Sequence, residues 1–218
     1  GGYGTGLWAW TSLMDAGNQN NNGNTPPNLN AIEREHLGIF DPVVIEKDGR
    51  YSLEPVHING RYYRMETDTE DEYYLLECRN EEGWDKYIGG SGMLVYHIDK
   101  SKRNAGYSDS YSKDLSAAHR WIYANEVNCR PDRQCADLVE ADSRRDAYSE
   151  NEKEVYHAGL QNIRGIFFPN GNVTSIMEEG RPGLGSWSGE PCKAHISNIK
   201  RSNEGISFNV IGFSGTET

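Results

Sequence analysis

Short stretches of alternating or continuous apolar residues, separated by turn signals, dominate the hydrophobic pattern after residue 41. The segment "PVVIEKDGRYSLEPVHINGRYYRMET" is rich in β-type residues, and its "KDG" and "NG" steps predict two hairpin turns. "EYYLLECRN" and "GMLVYHID" are nearly continuous in apolar character, which predicts two central strands. A further strand is expected at "CADLVEAD", and "KAHISNIKRSNEGISFNVIGF" predicts two strands joined by a turn at "SNEG".

Two other segments have the spacing of short helices. "PPNLNAIEREHLG" places Leu29, Ile32 and Leu37 at near-helical intervals and ends at a glycine. Residues 109–128 bring four apolar side chains onto one helical face, namely Leu115, Ala118, Trp121 and Ile122. Residues 143–165 are charged and poor in apolar positions, so we expect an irregular excursion there. The whole pattern predicts a mainly β fold with minor α content, an antiparallel β-sandwich-like domain with two short helices.

The stretch "LMDAGNQNNNGNTPPNLNAIERE", from Leu13 to Glu35, interrupts this pattern with a cluster of asparagines and glycines. Such a composition is typical of a linker between domains, and it also fits a shaped loop that belongs to a site. Asparagine and glycine both tolerate left-handed backbone, so either use is open from composition alone.

The net charge of the chain argues against negatively charged binding partners. The chain has 22 Lys and Arg against 33 Asp and Glu, a net charge of −11, which repels nucleic acid and anionic membrane surfaces. We therefore expect no nucleic-acid partner, and the lack of a long apolar run predicts no membrane insertion. A chain that begins Gly1-Gly2-Tyr3-Gly4 is expected to be a processed product or a part of a longer one.

The four cysteines favour disulfides over a metal site. Cys129 and Cys135 flank the short loop "CRPDRQC", a spacing that can close a small ring, and Cys78 and Cys192 would be the remaining pair. Buried thiols are the alternative for Cys78 and Cys192. No C-x-x-C occurs, which argues against zinc thiolates. Disulfides would imply an oxidising location, either secreted or periplasmic.

The usual catalytic motifs are absent. "GLGSWSG" and "GGSGM" imitate a nucleophile elbow without its strand-turn-helix context, and no H-E-x-x-H occurs. His97 and Asp99 share one strand face, so they are weak candidates for a metal pair; the alternative is that Asp99 holds His97 or caps the strand end. Glu140, Asp142 and Asp146 are likewise weak candidates for calcium, with solvated surface as the preferred interpretation.

Several blocks in a fixed order indicate more than any one of them. "GTGLWAWTSLMDAGNQNNNGNTPPNLNAIEREHLGI", "YYLLECRNEEGWDKYIGGSGMLVYHID", "NEVNCRPDRQCADLVEAD", "FFPNGNVTSI", "SWSG" and "ISNIKRSNEGISFNV" follow one another along nearly the whole chain. In this order they resemble the C-terminal portion of secreted metallopeptidases of the immune inhibitor A family. The likeness is weakest in residues 143–165.

This resemblance implies a role for Met14 in "SLMD". It would correspond to the Met-turn, the loop that passes beneath the zinc site and supports its histidines from the apolar side, as a packing element and not as a ligand. Residues 1–40 would then be the Met-turn loop and closing helix of a catalytic domain, and residues 41–218 a β-rich C-terminal domain. The asparagine-rich loop is then expected to be ordered and packed. The family's H-E-x-x-H is not in this chain and would lie upstream of Gly1 in the parent protein.

Two functional hypotheses follow, from different classes. In the first, the chain is the C-terminal part of a secreted or cell-surface zinc metalloendopeptidase that acts on polypeptides. Zinc would then belong to the parent protein, with none expected in this chain, and calcium is left open. In the second, it is a non-catalytic extracellular module that binds carbohydrate or protein through its aromatic side chains. An exposed aromatic row would favour the second hypothesis, and burial of Trp8, Trp84, Trp121 and Trp187 would count against it. A structural domain without a ligand is the third alternative.

Overall fold

A computed structural model describes residues 9–101, 114–128, 133–142, 163–177, 182–187, 189, 192 and 194–213. Within these residues the fold is mainly β, with two sheets and a few short helices. This architecture confirms the predicted fold class, a β-sandwich-like domain with minor helical content.

The larger sheet has five strands in the order β1-β3-β4-β5-β6. They are β1 (Val43–Val44), β3 (Tyr63–Glu66), β4 (Glu72–Arg79), β5 (Gly92–Asp99) and β6 (Ala136–Leu138). Only β1 runs parallel to its neighbour, and the other pairs are antiparallel. Every residue of β4 and β5 is buried, which confirms the two predicted central strands and explains their nearly continuous apolar character.

The smaller sheet has three antiparallel strands in the order β2-β8-β7. They are β2 (Gly49–Leu53), β8 (Gly205–Ile211) and β7 (His195–Ser202). β7 and β8 form the hairpin predicted at "SNEG", in which Ser202 pairs with Gly205. Gly205 has a φ of +137°, and a Cβ there would lie 2.1 Å from the carbonyl oxygen of Leu53. Only glycine allows β8 to approach β2 so closely.

Two hydrophobic clusters cover the two faces of β4 and β5. The first lies between the sheets and joins Leu76 and Val95 to Ile196, Phe208 and Val210. The second lies on the opposite face and joins Leu75 and Tyr96 to helical residues, among them Ala31, Ile32 and Trp121. Because successive side chains of a strand point to opposite faces, each central strand serves both clusters.

The helices are short. α1 (Ala31–Leu37) lies within the predicted helix; Asn30 and Glu33 form a reciprocal capping box at its start, and Gly38 ends it. α2 is Val56–Asn59, and α3 (Ala117–His119) continues into a π-helical turn, Arg120–Ala124. Four 3-10 turns complete the helical content of the described residues: Ala9–Thr11, Ala16–Gln19, Gly83–Tyr87 and Ile163–Ile166. No described helix is long and apolar enough to span a bilayer.

Both early hairpin predictions are wrong. The "KDG" step connects β1 to β2, but these strands belong to different sheets, with β1 paired to β3 and β2 paired to β8. The "NG" step at Asn59 and Gly60 ends α2, with Gly60 at a φ of +71° as the left-handed cap. Asn-Gly supplies left-handed backbone equally well to a hairpin and to a helix end, so the dipeptide alone does not separate the two uses.

The second predicted helix is shorter than residues 109–128. Its described part is helical at 117–124, while residues 109–113 lie outside the described residues. Trp121 is buried, but Ile122 from the predicted apolar face is 64% exposed. The wider π-helical turn changes the angle between successive side chains, so an α-helical spacing misplaces this face. Most of the predicted excursion, residues 143–162, also lies outside the described residues.

The asparagine-rich loop has a defined, internally hydrogen-bonded backbone, although residues 18–19 and 21–24 are exposed. This shape fits the second interpretation of its composition, and its part in a site stays a prediction. Asn21 and Asn22 have φ values of 52° and 55°, the left-handed backbone that asparagine tolerates. The buried Asn20 donates from Nδ2 to the main-chain carbonyl oxygen of Trp10 at 2.9 Å. The main-chain carbonyl oxygen of Asn20 accepts from the amide of Thr25 at 3.2 Å.

Candidate functional site

The Met14 turn, residues 12–15, presents one exposed apolar side chain on a firmly held backbone. Met14 is 76% exposed, whereas Ser12 is fully buried. The amide of Met14 donates to Glu33 Oε1 at 2.9 Å, and Ser12 Oγ donates to the same oxygen at 2.9 Å. Glu33 Oε2 accepts from the amide of Asn30 at 2.8 Å, so one carboxylate connects the turn to the start of α1.

Arg79 provides a second attachment, from the central strand β4. Its Nη1 donates to the carbonyl oxygen of Thr11 at 3.2 Å and its Nη2 to that of Asn28 at 3.1 Å. The guanidinium also makes a bidentate pair with Asp85, at 2.8 Å from Nε to Oδ2 and 2.6 Å from Nη2 to Oδ1. Asp85 Oδ1 in turn accepts from the amide of Asn28 at 2.8 Å. Arg79 thereby connects β4 to the N-terminal loop at two points, Thr11 and Asn28.

Glu77 is the least compensated member of this network. It accepts from Arg79 Nη1 at 3.1 Å and from Tyr96 Oη at 2.8 Å, while its buried Oε2 has no hydrogen-bond partner. Burial raises the pKa of Glu77, and the charge of Asp85 raises it further, although Arg79 lowers it. Because Arg79 already pairs bidentately with Asp85, one guanidinium serves two carboxylates. Arg34 lies near this network, and burial lowers the pKa of Arg34.

Glu35 fixes the other side of α1. Tyr73 Oη donates to its carboxylate, Arg64 Nη1 lies 3.4 Å from Oε1, and Lys100 Nζ lies 3.3 Å from Oε2. The Arg64 guanidinium also lies 3.6 Å from the centre of the Tyr73 ring, and Lys100 lies 4.6 Å from that of Trp121. Glu33 contacts the Met14 turn, and Glu35 contacts side chains of β3 and β4 and Lys100, so the turn is attached to a helix that is itself held by the larger sheet.

His97 and Asp99 lie on the same strand face, but each has a different partner. His97 Nε2 lies 2.8 Å from Glu72 Oε1, and the imidazole is stacked between Tyr74 at 4.6 Å and Trp187 at 5.8 Å between ring centres. Asp99 accepts from the amide of Ser101 at 3.0 Å and from Arg133 Nε at 2.8 Å. In the part of the chain that the structure describes, no group of three or more His, Cys, Asp or Glu side chains converges as a metal site.

The acidic segment after β6 is not the solvated surface that its composition suggested. Glu140 is only 6% exposed, and Asp142 is half-buried, with its amide donating to the carbonyl oxygen of Gly165 at 2.7 Å. The segment follows β6 directly and packs against the 163–166 turn, which a charge count cannot indicate. Asp146 lies outside the described residues.

The described cysteines are buried. Cys78 and Cys192 belong to the cluster between the sheets, and Cys135 belongs to the opposite cluster. Among these three described cysteines, no disulfide is formed. Cys129 lies outside the described residues, so its bridge to Cys135 stays a prediction.

The described tryptophan and tyrosine side chains differ in how far they are buried. Trp121 is 7% exposed, and Trp187 is half-buried beside His97. Trp84 is 57% exposed, and Tyr87 from the same 3-10 turn is 42% exposed. Trp8 lies outside the described residues.

Met14 was predicted from the resemblance of "SLMD", but the groups that hold it were not predicted. The signal for Glu33 is the "NAIE" capping box, in which Asn30 precedes the glutamate by three residues. Glu77 and Arg79 stand two residues apart at the end of an apolar strand, where charged residues on one strand face indicate a buried ion pair. No sequence signal connects them to Asp85, Thr11 or Asn28, because only the fold brings these groups together.

The fold and the site define a class: a two-sheet β domain whose central strands carry a buried charge network beneath an exposed methionine turn. Comparisons with protein-family models, with curated proteins and with solved structures give no match to this chain.

Proposed function

We propose that this chain is the C-terminal part of a secreted zinc metalloendopeptidase resembling immune inhibitor A, and that it supports the active-site cleft without being catalytic alone. The observation that carries the proposal is the Met14 turn: an exposed methionine whose backbone is attached to buried charged groups. The order of sequence blocks around "SLMD" supports it independently.

Exposure of Met14 would mean little by itself, since single exposed apolar side chains are common. The buried groups beneath it are costly. Glu33, Glu77, Arg79 and Asp85 are each less than 10% exposed, and removing charges from water is compensated only by good hydrogen-bond geometry. Such a network specifies one backbone position for the turn. A turn with a fixed backbone position and an exposed apolar side chain can serve as a surface on which another part of the parent protein packs.

Zinc would be held by residues outside this chain, because the H-E-x-x-H of the family that it resembles is not in this sequence. When bound in the parent protein, the metal would supply a polarised water for peptide hydrolysis. This chain would contribute the Met14 turn, which the resemblance implies lies beneath the metal ligands. The substrate would be a polypeptide, and the location would be extracellular, periplasmic or at the cell surface.

The test compares the parent protein with this chain. The parent reading frame upstream of Gly1 is expected to encode H-E-x-x-H, and the purified parent is expected to contain one zinc and to cleave a denatured protein substrate until a chelator is added. The isolated chain is expected to bind no stoichiometric zinc and to cleave nothing. Tight zinc binding by the isolated chain would contradict the proposal, as would a parent with neither zinc nor peptidase activity.

A second candidate, an extracellular carbohydrate-binding module, is favoured by one observation. Trp84 and Tyr87 are both exposed on the single turn Gly83–Tyr87, and exposed aromatic rings stack on sugars. In this case polysaccharide retention of the isolated chain would be lost in Trp84→Ala and kept in Ile122→Ala, which removes an equally exposed apolar side chain elsewhere. Equal retention of both variants would exclude the aromatic turn as the binding surface.

A further inference from the structure

Glu33 connects the start of its own helix to the Met14 turn, which lies about 20 residues earlier in the chain. Its Oε1 accepts from Ser12 Oγ and from the Met14 amide, 21 and 19 residues earlier, and its Oε2 accepts from the amide of Asn30. Glu33 is 7% exposed, so water competes poorly for these bonds. We propose that Glu33 is a positioning residue that sets the place of the Met14 turn relative to α1. The role in catalysis rests on the proposed function, whereas the role in positioning does not.

Capping of α1 does not account for these contacts. The capping box needs Asn30 Oδ1, which accepts from the Glu33 amide at 2.9 Å, and Glu33 Oε2, which accepts from the Asn30 amide. The other oxygen, Oε1, is used entirely by the Met14 turn. A carboxylate oxygen accepts stronger hydrogen bonds than a neutral acceptor, and two donors of the turn bind Oε1, so the turn has contacts to Glu33 that capping does not require.

Arg79 contacts the loop at Thr11 and Asn28, whereas Glu33 contacts the Met14 turn itself. The guanidinium contacts the carbonyl oxygens of Thr11 and Asn28, which precede the turn and α1 respectively. Neither oxygen belongs to the Met14 turn itself, residues 12–15. Loss of Glu33 should therefore release the Met14 amide while Thr11 and Asn28 stay attached to β4.

Amide hydrogen exchange of the chain tests this directly, because the Met14 amide is itself a donor to Glu33. In Glu33→Ala, exchange at Met14 is expected to accelerate at least about 10-fold relative to amides of β4, the loss expected for a hydrogen bond to a charged group. In Asn30→Ala, which also removes a cap of α1, Met14 exchange is expected to stay within about twofold after the same normalisation. Glu46→Ala removes an exposed carboxylate and serves as the charge control.

Two milder variants keep the test decisive if Glu33→Ala does not fold. Ser12→Ala removes one of the two donors to Oε1 and leaves the Met14 amide protected. Glu33→Gln keeps one side-chain oxygen and replaces the other by an NH2 group, which donates and does not accept. Exchange at Met14 is expected to rise in Glu33→Gln and not in Ser12→Ala. Unchanged Met14 exchange in the Glu33 variants, or equal acceleration in Asn30→Ala, would overturn the proposal.

The parent protein separates this inference from the proposed function. If the parent cleaves peptides, Glu33→Gln is expected to lower kcat with little change in KM, and Asn30→Ala to change kcat less. Equal kcat losses in the two variants would contradict the catalytic role of Glu33 while the proposed function stands. A parent without peptidase activity would contradict the proposed function, and the exchange measurement would still decide whether Glu33 positions the turn.

Discussion

For Glu77, the sequence predicts a buried ion pair but does not predict the other groups around its carboxylate. A glutamate in an apolar strand is unusual, and its neighbour Arg79 on the same face indicates a pair. The shared use of Arg79 by Asp85 and the unpartnered Oε2 of Glu77 depend on the 3-10 turn Gly83–Tyr87 folding back onto β4. The charge balance around Glu77 therefore follows from tertiary contacts.

This environment predicts a pH-dependent contribution to stability. Since the folded pKa of Glu77 is raised above its ordinary 4.5, its contribution is fully present below pH 4.5 and is lost as pH rises through the folded pKa. Wild type should therefore lose stability relative to Glu77→Gln as pH increases from 4.5, with a slope of at most about 1.4 kcal/mol per pH unit.

Urea unfolding of both proteins across this pH range measures the difference. Glu46→Gln, at an exposed position, is expected to show no such trend relative to wild type. A flat difference between wild type and Glu77→Gln, or one that grows in the opposite direction, would show that Arg79 compensates Glu77 fully.

At the scale of elements, turn chemistry was predictive only where the flanking strands belong to one sheet. "SNEG" forms the predicted β7–β8 hairpin, while "KDG" and "NG" connect elements that pair elsewhere. The apolar pattern was sufficient to identify β4 to β8, whereas β1 to β3 were predicted only as one β-rich segment. The pattern does not state which strand lies beside which, because pairing depends on contacts far apart in sequence.

Gly205 is the element-scale position where one substitution should be most informative. Gly205→Ala combines a φ of +137° with a Cβ that would lie 2.1 Å from the Leu53 carbonyl oxygen, so we expect a loss of about 2 to 4 kcal/mol in the free energy of unfolding. Gly185→Ala has no atom within 4 Å of the added Cβ and is expected to change stability by less than about 0.5 kcal/mol. Similar unfolding midpoints for the two variants would contradict the close packing of β8 on β2.

At the scale of the whole molecule, the five-stranded sheet lies between two buried clusters. The smaller sheet covers one face, and α1 with the Trp121 region covers the other. Ala31 and Ile32 of α1 therefore share a core with β4 and β5. The division predicted between residues 1–40 and 41–218 stays a prediction about the parent protein, and within the described residues α1 packs on the larger sheet.

Cys78 can report opening of this whole assembly. It is fully buried between the sheets, and burial raises the pKa of its thiol to about 12. A thiol reagent should therefore modify Cys78 in the native chain on the order of 10³-fold more slowly than in denaturant, because reaction requires the sheets to separate. Peptide mass mapping follows the modification. Rapid labelling of Cys78 without loss of the fold would contradict its place in the core.

The same mapping, done without reduction, tests the predicted Cys129–Cys135 bridge. A linked pair of peptides containing these two residues is expected from chain purified under oxidising conditions. Recovery of both cysteines in the labelled, unlinked form would reject the bridge.

The sequence by itself determined strands β4 to β8, α1 with its capping box and the left-handed backbone of the asparagine loop. These features depend on neighbouring residues: side-chain period, cap chemistry and the left-handed preference of Asn and Gly. Tertiary structure alone decided that "KDG" crosses between sheets, that Glu140 is buried, and that Glu33 and Arg79 hold the Met14 turn. Each of these depends on groups separated by long stretches of chain, whose meeting is set by how both faces of one sheet are covered.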